Sequence, residues 1–192
     1  PASLRTQLIW LTLTHGVVDA YALSVPFILP IILDRVAPEN YRAFYAGALA
    51  ATVAASTSIG QVGFAWLADR DVKAPFLLIG IATAAVGMSL LGLAPNLPTA
   101  FLLMLVGGLG VAAFHPQSAV AASRLSQGSR GLGMSVFIVG GNLGQAIGPL
   151  ILILAYAAWS TAVFAPAMVV GLVLCVALGR MYIGIARENI VQ

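Results

Sequence analysis

Apolar residues fill most of this chain in long uninterrupted runs, and polar residues collect in the short gaps between them. Six runs stand out, at residues 8–33, 43–68, 74–94, 99–123, 132–157 and 161–183. A helix crossing a bilayer needs about 20 apolar residues, so each run is long enough or nearly so. The gaps read DRVAPENYR, DRDVK, PNLP, RLSQGSRG and AWS, with the charge, proline, glycine or serine that turns require. The pattern predicts an all-α polytopic membrane protein, a single domain over 1–192 with six transmembrane helices. Because PNLP and AWS are so short, helices 3 and 4, and helices 5 and 6, are expected to be antiparallel neighbours.

Composition agrees with the pattern. The 192 residues are 60% hydrophobic and 8% charged, against roughly 25% charged in a soluble domain. Such a chain has too little charge to cover a globular surface, and an integral membrane protein is expected, in a bacterial inner membrane. The net charge of +3 comes from scattered basic residues without an aromatic platform, so no nucleic-acid partner is expected. Orientation follows from the positive-inside rule. With the N-terminus inside, the inner side holds Arg5, Arg70, Lys73, Arg124, Arg130, Arg180 and Arg187, and the outer side only Arg35 and Arg42. That predicts N-in/C-in. The single cysteine, Cys175, lies in an apolar run and makes neither a disulfide nor a metal cluster, and no cofactor is expected. The first run is too long for the core of a cleavable leader, so none is expected.

The polar residues inside the runs are the candidates for chemistry. His15 and Asp19 stand four apart in THGVVDAY and share one face of helix 1. At 1.5 Å per residue Asp19 is about 20 Å along the axis from Arg5, close to mid-membrane. A carboxylate there must face protein or water, which makes it a functional candidate, with a static His–Asp pair as the alternative. Tyr21, about 200° around the helix from Asp19, need not face the same cavity. Pro26 and Pro30 remove backbone donors and are expected to bend the outer third of this helix. In helix 4, GGLGVAAFHPQSA sets His115 before Pro116 at nearly the depth of His15, with Gln117 and Ser118 beside it. Two histidines and an aspartate at matched depth suggest one polar site between helices 1 and 4.

Helix 5 carries Gly140, Gly144 and Gly148 at every fourth position, a groove for another helix, followed by Pro149. Its Asn142 and Gln145 either line a pathway or hold helices together. Helix 2 has a small face of its own, Gly47, Ala51 and Ala55. Loop 2–3, AWLADRDVKAP, holds Asp69, Arg70 and Lys73, a charged turn that either contacts neighbouring helices or is simply solvated. Both halves of the chain, divided near Pro95, open with a histidine-bearing helix, which suggests a 3+3 inverted repeat of the kind found in secondary transporters.

These motifs together resemble the N-terminal half of a major facilitator superfamily transporter. AWLADRDVK is similar to that family's loop 2–3 signature: Asp69, Arg70 and Lys73 match, while Ala65 and Val72 stand where it has glycines. GQAIGP (144–149) resembles the helix-5 motif associated with antiporters. HGVVDAYALSVPFILP and FHPQSA resemble the fosmidomycin-resistance-like branch, with Gln117 where that branch has a glutamate and Met104 near the place of its helix-4 arginine. The resemblance implies half of a twelve-helix fold that expels small molecules in exchange for protons by alternating access. His15, Asp19, His115, Gln117, Asn142 and Gln145 would form the substrate and proton site, Asp69, Arg70 and Lys73 the gating loop, and the glycines with Pro149 the packing motif.

Six helices are half of that fold. Either a second six-helix half completes it, or two copies pair as a homodimer about an axis along the membrane normal. In a homodimer, helices 2 and 5 are expected to meet across the interface and helices 1 and 4 to line the cavity. The leading expectation is therefore a half-size, proton-coupled exporter of a small polar or drug-like molecule, not an enzyme. The alternative is a non-transporting membrane subunit whose glycine faces bind another protein. An intramembrane serine protease would need GxSG, an aquaporin-like channel NPA, and direct use of ATP a G-x-x-x-x-G-K-[ST] loop, and the chain has none of them.

Overall fold

The computed structural model describes residues 3–69, 76–126 and 128–191, with residues 182–191 as backbone alone. The described residues are helical apart from the short joints and hold no strand. Six α-helices follow one another: α1 (Leu4–Val36), α2 (Arg42–Asp69), α3 (Phe76–Leu91), α4 (Leu97–Leu125), α5 (Arg130–Trp159) and α6 (Phe164–Val191). Four helical stretches are long and apolar enough to cross a membrane, Leu4–Val36, Glu39–Asp69, Leu97–Leu125 and Arg130–Met181, the last containing α5 and most of α6. Helix α3, with 16 residues, is shorter.

Helix ends differ from the apolar runs for local reasons. Ser3 accepts a hydrogen bond from the Thr6 amide at 3.2 Å, so α1 begins four residues before its apolar run. Asn96 caps α4 in the same way, accepting from Thr99 at 2.9 Å. Helix α3 stops at Leu91, short of its run. A Cβ on Gly92 would strike the Phe164 ring, and the Arg35 guanidinium donates to the carbonyls of Gly92 and Ala94, both at 3.0 Å. Arg35 thus satisfies carbonyls that a helix end leaves unpaired, and it ties the end of α1 to the end of α3. Between α5 and α6 the chain breaks at Ser160, whose φ of 52° is left-handed, and continues as a 3-10 turn over Ser160–Val163.

Helix α1 runs through the centre. Its principal neighbour is α5, while α4 packs on both α2 and α3, and α6 packs on α3. The expected neighbourhood of helices 3 and 4 is present. Among the described residues helices 5 and 6 meet at their joint, where the Tyr156 and Phe164 rings lie 5.9 Å apart, but along their lengths α5 lies mainly on α1 and α6 on α3. A short joint fixes only the distance between helix ends, and the side faces choose other partners. Tyr21 shows one such choice. Its hydroxyl donates to the carbonyl of Ala167 at 2.6 Å and accepts from the amide of Gly171 at 3.0 Å, stapling α1 to one turn of α6.

The glycines of helix 5 also have a different partner from the one expected. Gly140, Gly144 and Gly148 receive Thr12, Gly16 and Ala20 of α1, so two four-residue repeats of small residues interlock. A Cβ on Gly16 would stand 2.9 Å from the carbonyl oxygen of Gly140. This face is therefore occupied within the chain and is not free to meet helix 2 across a dimer. Helices α3 and α4 approach just as closely, where a Cβ on Gly87 would lie 2.7 Å from Gly107. Large apolar side chains remain exposed on α2, α5 and α6, among them Ile59, Val62, Leu143, Leu154 and Val173, as lipid-facing surfaces require.

Candidate functional site

The close approach of α1 to α5 positions the polar cluster. His15 and Asp19 project from one face of α1, 7% and 4% exposed. Opposite them is Gly141, where a Cβ would lie 2.5 Å from the His15 ring and 2.8 Å from the Asp19 carboxylate. Only a residue without a side chain leaves room for the pair. Helix α4 brings His115 from the other side, its Nε2 3.1 Å from Asp19 Oδ1. Gln145 of α5 donates from Nε2 to Asp19 Oδ2 at 2.9 Å, and His15 Nε2 lies 3.5 Å from the same oxygen. One buried carboxylate thus joins three helices.

Both imidazoles are fixed from behind. His15 Nδ1 is 2.9 Å from the carbonyl oxygen of Phe137, and its ring stacks on the Phe137 ring at 4.1 Å and 14°. His115 Nδ1 is 2.8 Å from the carbonyl oxygen of Val111, one turn back on its own helix. A carbonyl only accepts, so each Nδ1 carries the hydrogen and each Nε2 faces the carboxylate. Nε2 then either holds a second proton, giving an imidazolium paired with Asp19, or turns a lone pair toward the carboxyl group, where it can accept from a protonated Asp19 or meet a shared cation. The cluster is built to hold and share protons or a cation.

The remaining expected site residues are elsewhere. The side-chain oxygen of Gln117 accepts from the Leu77 amide at 2.9 Å, so this residue serves the first turn of α3. Asn142 is exposed and is not among the partners of Asp19, whereas Gln145 is both exposed and bonded to it. Asp69 is exposed at the end of α2, and Arg70 and Lys73 lie outside the described residues. Gly141 and the carbonyls of Phe137 and Val111 were not found from sequence. The Gly140–Gly141 pair held the only available signal for them.

A cavity lies apart from this cluster. A groove of about 670 Å³ opens between α1 and α2, lined by Pro26, Pro30, Leu33, Ala43 and Gly47, with Asp34 and Arg42 at its rim. It is mostly apolar, and Arg42 pairs with Asp34 across 2.9 Å. Within α1, Pro26 and Pro30 both stay inside the helix.

The profile of the Major Facilitator Superfamily matches residues 10–191. The chain belongs to the major facilitator superfamily. Members of the superfamily are membrane transporters, and the long apolar helices make this chain an integral membrane protein. It is 31% identical over 144 residues to the uncharacterized MFS-type transporter YfnC of Bacillus subtilis (strain 168), covering 75% of this chain and 34% of that protein. It is also 31% identical over 146 residues to the Fosmidomycin resistance protein of Escherichia coli (strain K12), covering 74% of this chain and 36% of that one. The chain therefore spans about a third of the length of these superfamily relatives. No solved structure matches it.

Proposed function

We propose that this chain is one six-helix half of a proton-coupled secondary transporter that exports a small polar or drug-like molecule by alternating access. The observation that carries the reading is Asp19, a buried carboxylate midway along α1 that is bonded at once to α4 and α5. Groups that hold positive charge across three helices are suited to couple the arrival of a proton to the relative position of those helices. Competition between solute and proton for this one cluster would give exchange. The name of the Escherichia coli relative, which speaks of resistance, supports export and a drug-like solute.

In this reading all six helices span a bacterial inner membrane with both termini inside, as two inverted three-helix repeats. The packing supports the repeat. Exchanging each helix for the one three positions on turns the α1–α5 pair into α4–α2, and maps α1–α4 and α3–α6 onto themselves, and all of these pairs are in contact. A second six-helix half, or a second copy of this one, completes the cavity. Because the glycines of α5 are already used by α1, such a copy would meet other faces.

The test is solute movement by the full-length protein in liposomes, with fosmidomycin as the first solute tried. Asp19→Asn is expected to abolish transport driven by a pH gradient while leaving the thermal unfolding transition in place. A folded Asp19→Asn protein that still transports in response to the gradient would refute the role given to this carboxylate.

A further inference from the structure

His15, Asp19 and His115 offer one ligand atom each, all within 4.8 Å of one another. We infer that these three side chains form a binding site for a divalent transition-metal ion of the zinc type. The inference stands on ligand geometry alone and does not require the transport reading.

The spacing fits such an ion. Metal–nitrogen and metal–oxygen bonds of about 2.0–2.1 Å set the ligand atoms of a tetrahedral site about 3.3 Å apart. His115 Nε2 lies 3.1 Å from Asp19 Oδ1 and His15 Nε2 3.5 Å from Asp19 Oδ2, separations on either side of that value but to the two different oxygens of the carboxylate, which would therefore meet the ion through both oxygens or turn to present one. The supporting shell fits as well. A histidine that binds a metal through one ring nitrogen almost always donates the other N–H to a carbonyl or carboxylate, which fixes its tautomer and orientation. Both histidines do this, to Phe137 and Val111, and both acceptors belong to helix backbones that cannot easily turn away. Two such imidazoles converging on one carboxylate are more than a static ion pair needs, since a single imidazolium would balance Asp19.

The donor set also selects the class of ion. Two imidazoles and one carboxylate suit zinc, cobalt, nickel or iron, whereas magnesium and calcium prefer all-oxygen shells. Gln145 supplies the way in and a fourth donor. It is exposed, and turning its amide about the terminal bond presents oxygen instead of nitrogen toward the cluster. Gly141 keeps the adjoining space free of side-chain atoms.

The test uses tag-free full-length protein in nanodiscs, titrated with Co²⁺ as a coloured probe. Saturable binding of one Co²⁺ per chain, displaced by Zn²⁺, is expected, and His15→Gln, Asp19→Asn and His115→Gln should each weaken it by about tenfold or more. Absence of saturable binding, or binding that survives all three substitutions, would overturn the site. Should the variants fail to fold, X-ray absorption on the Co²⁺-loaded native protein decides: a shell with two imidazole nitrogens supports the site and an all-oxygen shell overturns it. The outcomes also separate this inference from the transport reading. No metal binding, together with an Asp19→Asn protein that has lost gradient-driven transport, removes the metal site only. Metal binding, together with an Asp19→Asn protein that still transports, upholds the metal site and removes the proton role.

Discussion

The two halves of α1 are built on opposite principles. From Thr12 to Ala20 its small residues lock into the glycines of α5, backbone against backbone, and the helix turns His15 and Asp19 into the interior. From Pro26 to Asp34 it borders an apolar groove of about 670 Å³ shared with α2, and carries two prolines that lack the N–H groups of the helix ladder. Small residues buy close approach, and close approach is what holds a polar cluster to within a few tenths of an ångström. Where the side chains are large and the backbone lacks donors, the same helix leaves space. The first half thus has the close packing a site needs, while the second half buries Ile28 and Ile32 on one side and borders an open groove on the other.

Substitutions that exchange these properties should break the comparison. The largest effect is expected for Gly144→Val, whose side chain would occupy the place of the Gly16 backbone. Overpacking of this kind costs about 3 kcal/mol or more, whereas Gly47→Val at the groove, where a Cβ meets nothing within 4 Å, should stay within about 0.5 kcal/mol. Thermal unfolding in a mild detergent measures both, and equal losses would show that the two halves do not differ in packing.

A smaller and more local effect is expected for Gly141→Ala. The added methyl must displace His15 or Asp19. Because misplacing reacting groups by about 1 Å can lower a rate about 100-fold, gradient-driven transport should fall by about tenfold or more while most of the stability remains. Unchanged transport would mean that the cluster is not where the work is done. The smallest effect belongs to Arg42→Gln at the rim of the groove. The Arg42–Asp34 pair is exposed, and exposed pairs contribute about 0–1 kcal/mol. The unfolding temperature should barely move, and a large shift would make the rim a structural clamp.

Different features of the sequence carried these conclusions to different depths. The hydrophobic runs identify helices, because a run of about 20 apolar residues has few other uses. The spacing of His15 and Asp19 puts them on one face, because the helix repeat does so wherever the helix lies. His115 was legible as a candidate by its depth alone. Its approach to within hydrogen-bonding distance of Asp19, 96 positions away along the chain, was not. Gln117 and Gln145 looked alike along the chain, as amides on apolar helices, and were separated only by the direction each helix faces. The glycines of helix 5 announced a helix partner without naming it, since a groove of small residues accepts any matching face.

What the sequence determined by itself, then, is the class of the protein, its helices and the short list of polar residues that a membrane interior would not tolerate without a purpose. Those properties depend on the transfer of side chains from water and on the period of the helix, both of which are local. The tertiary structure alone decided that α5 packs on α1 and α6 on α3, that Asp19 is shared by three helices, and that both imidazoles present the same nitrogen to it. These depend on which faces meet, and in a bundle of apolar helices that choice is made by shape and close packing, which no single segment contains.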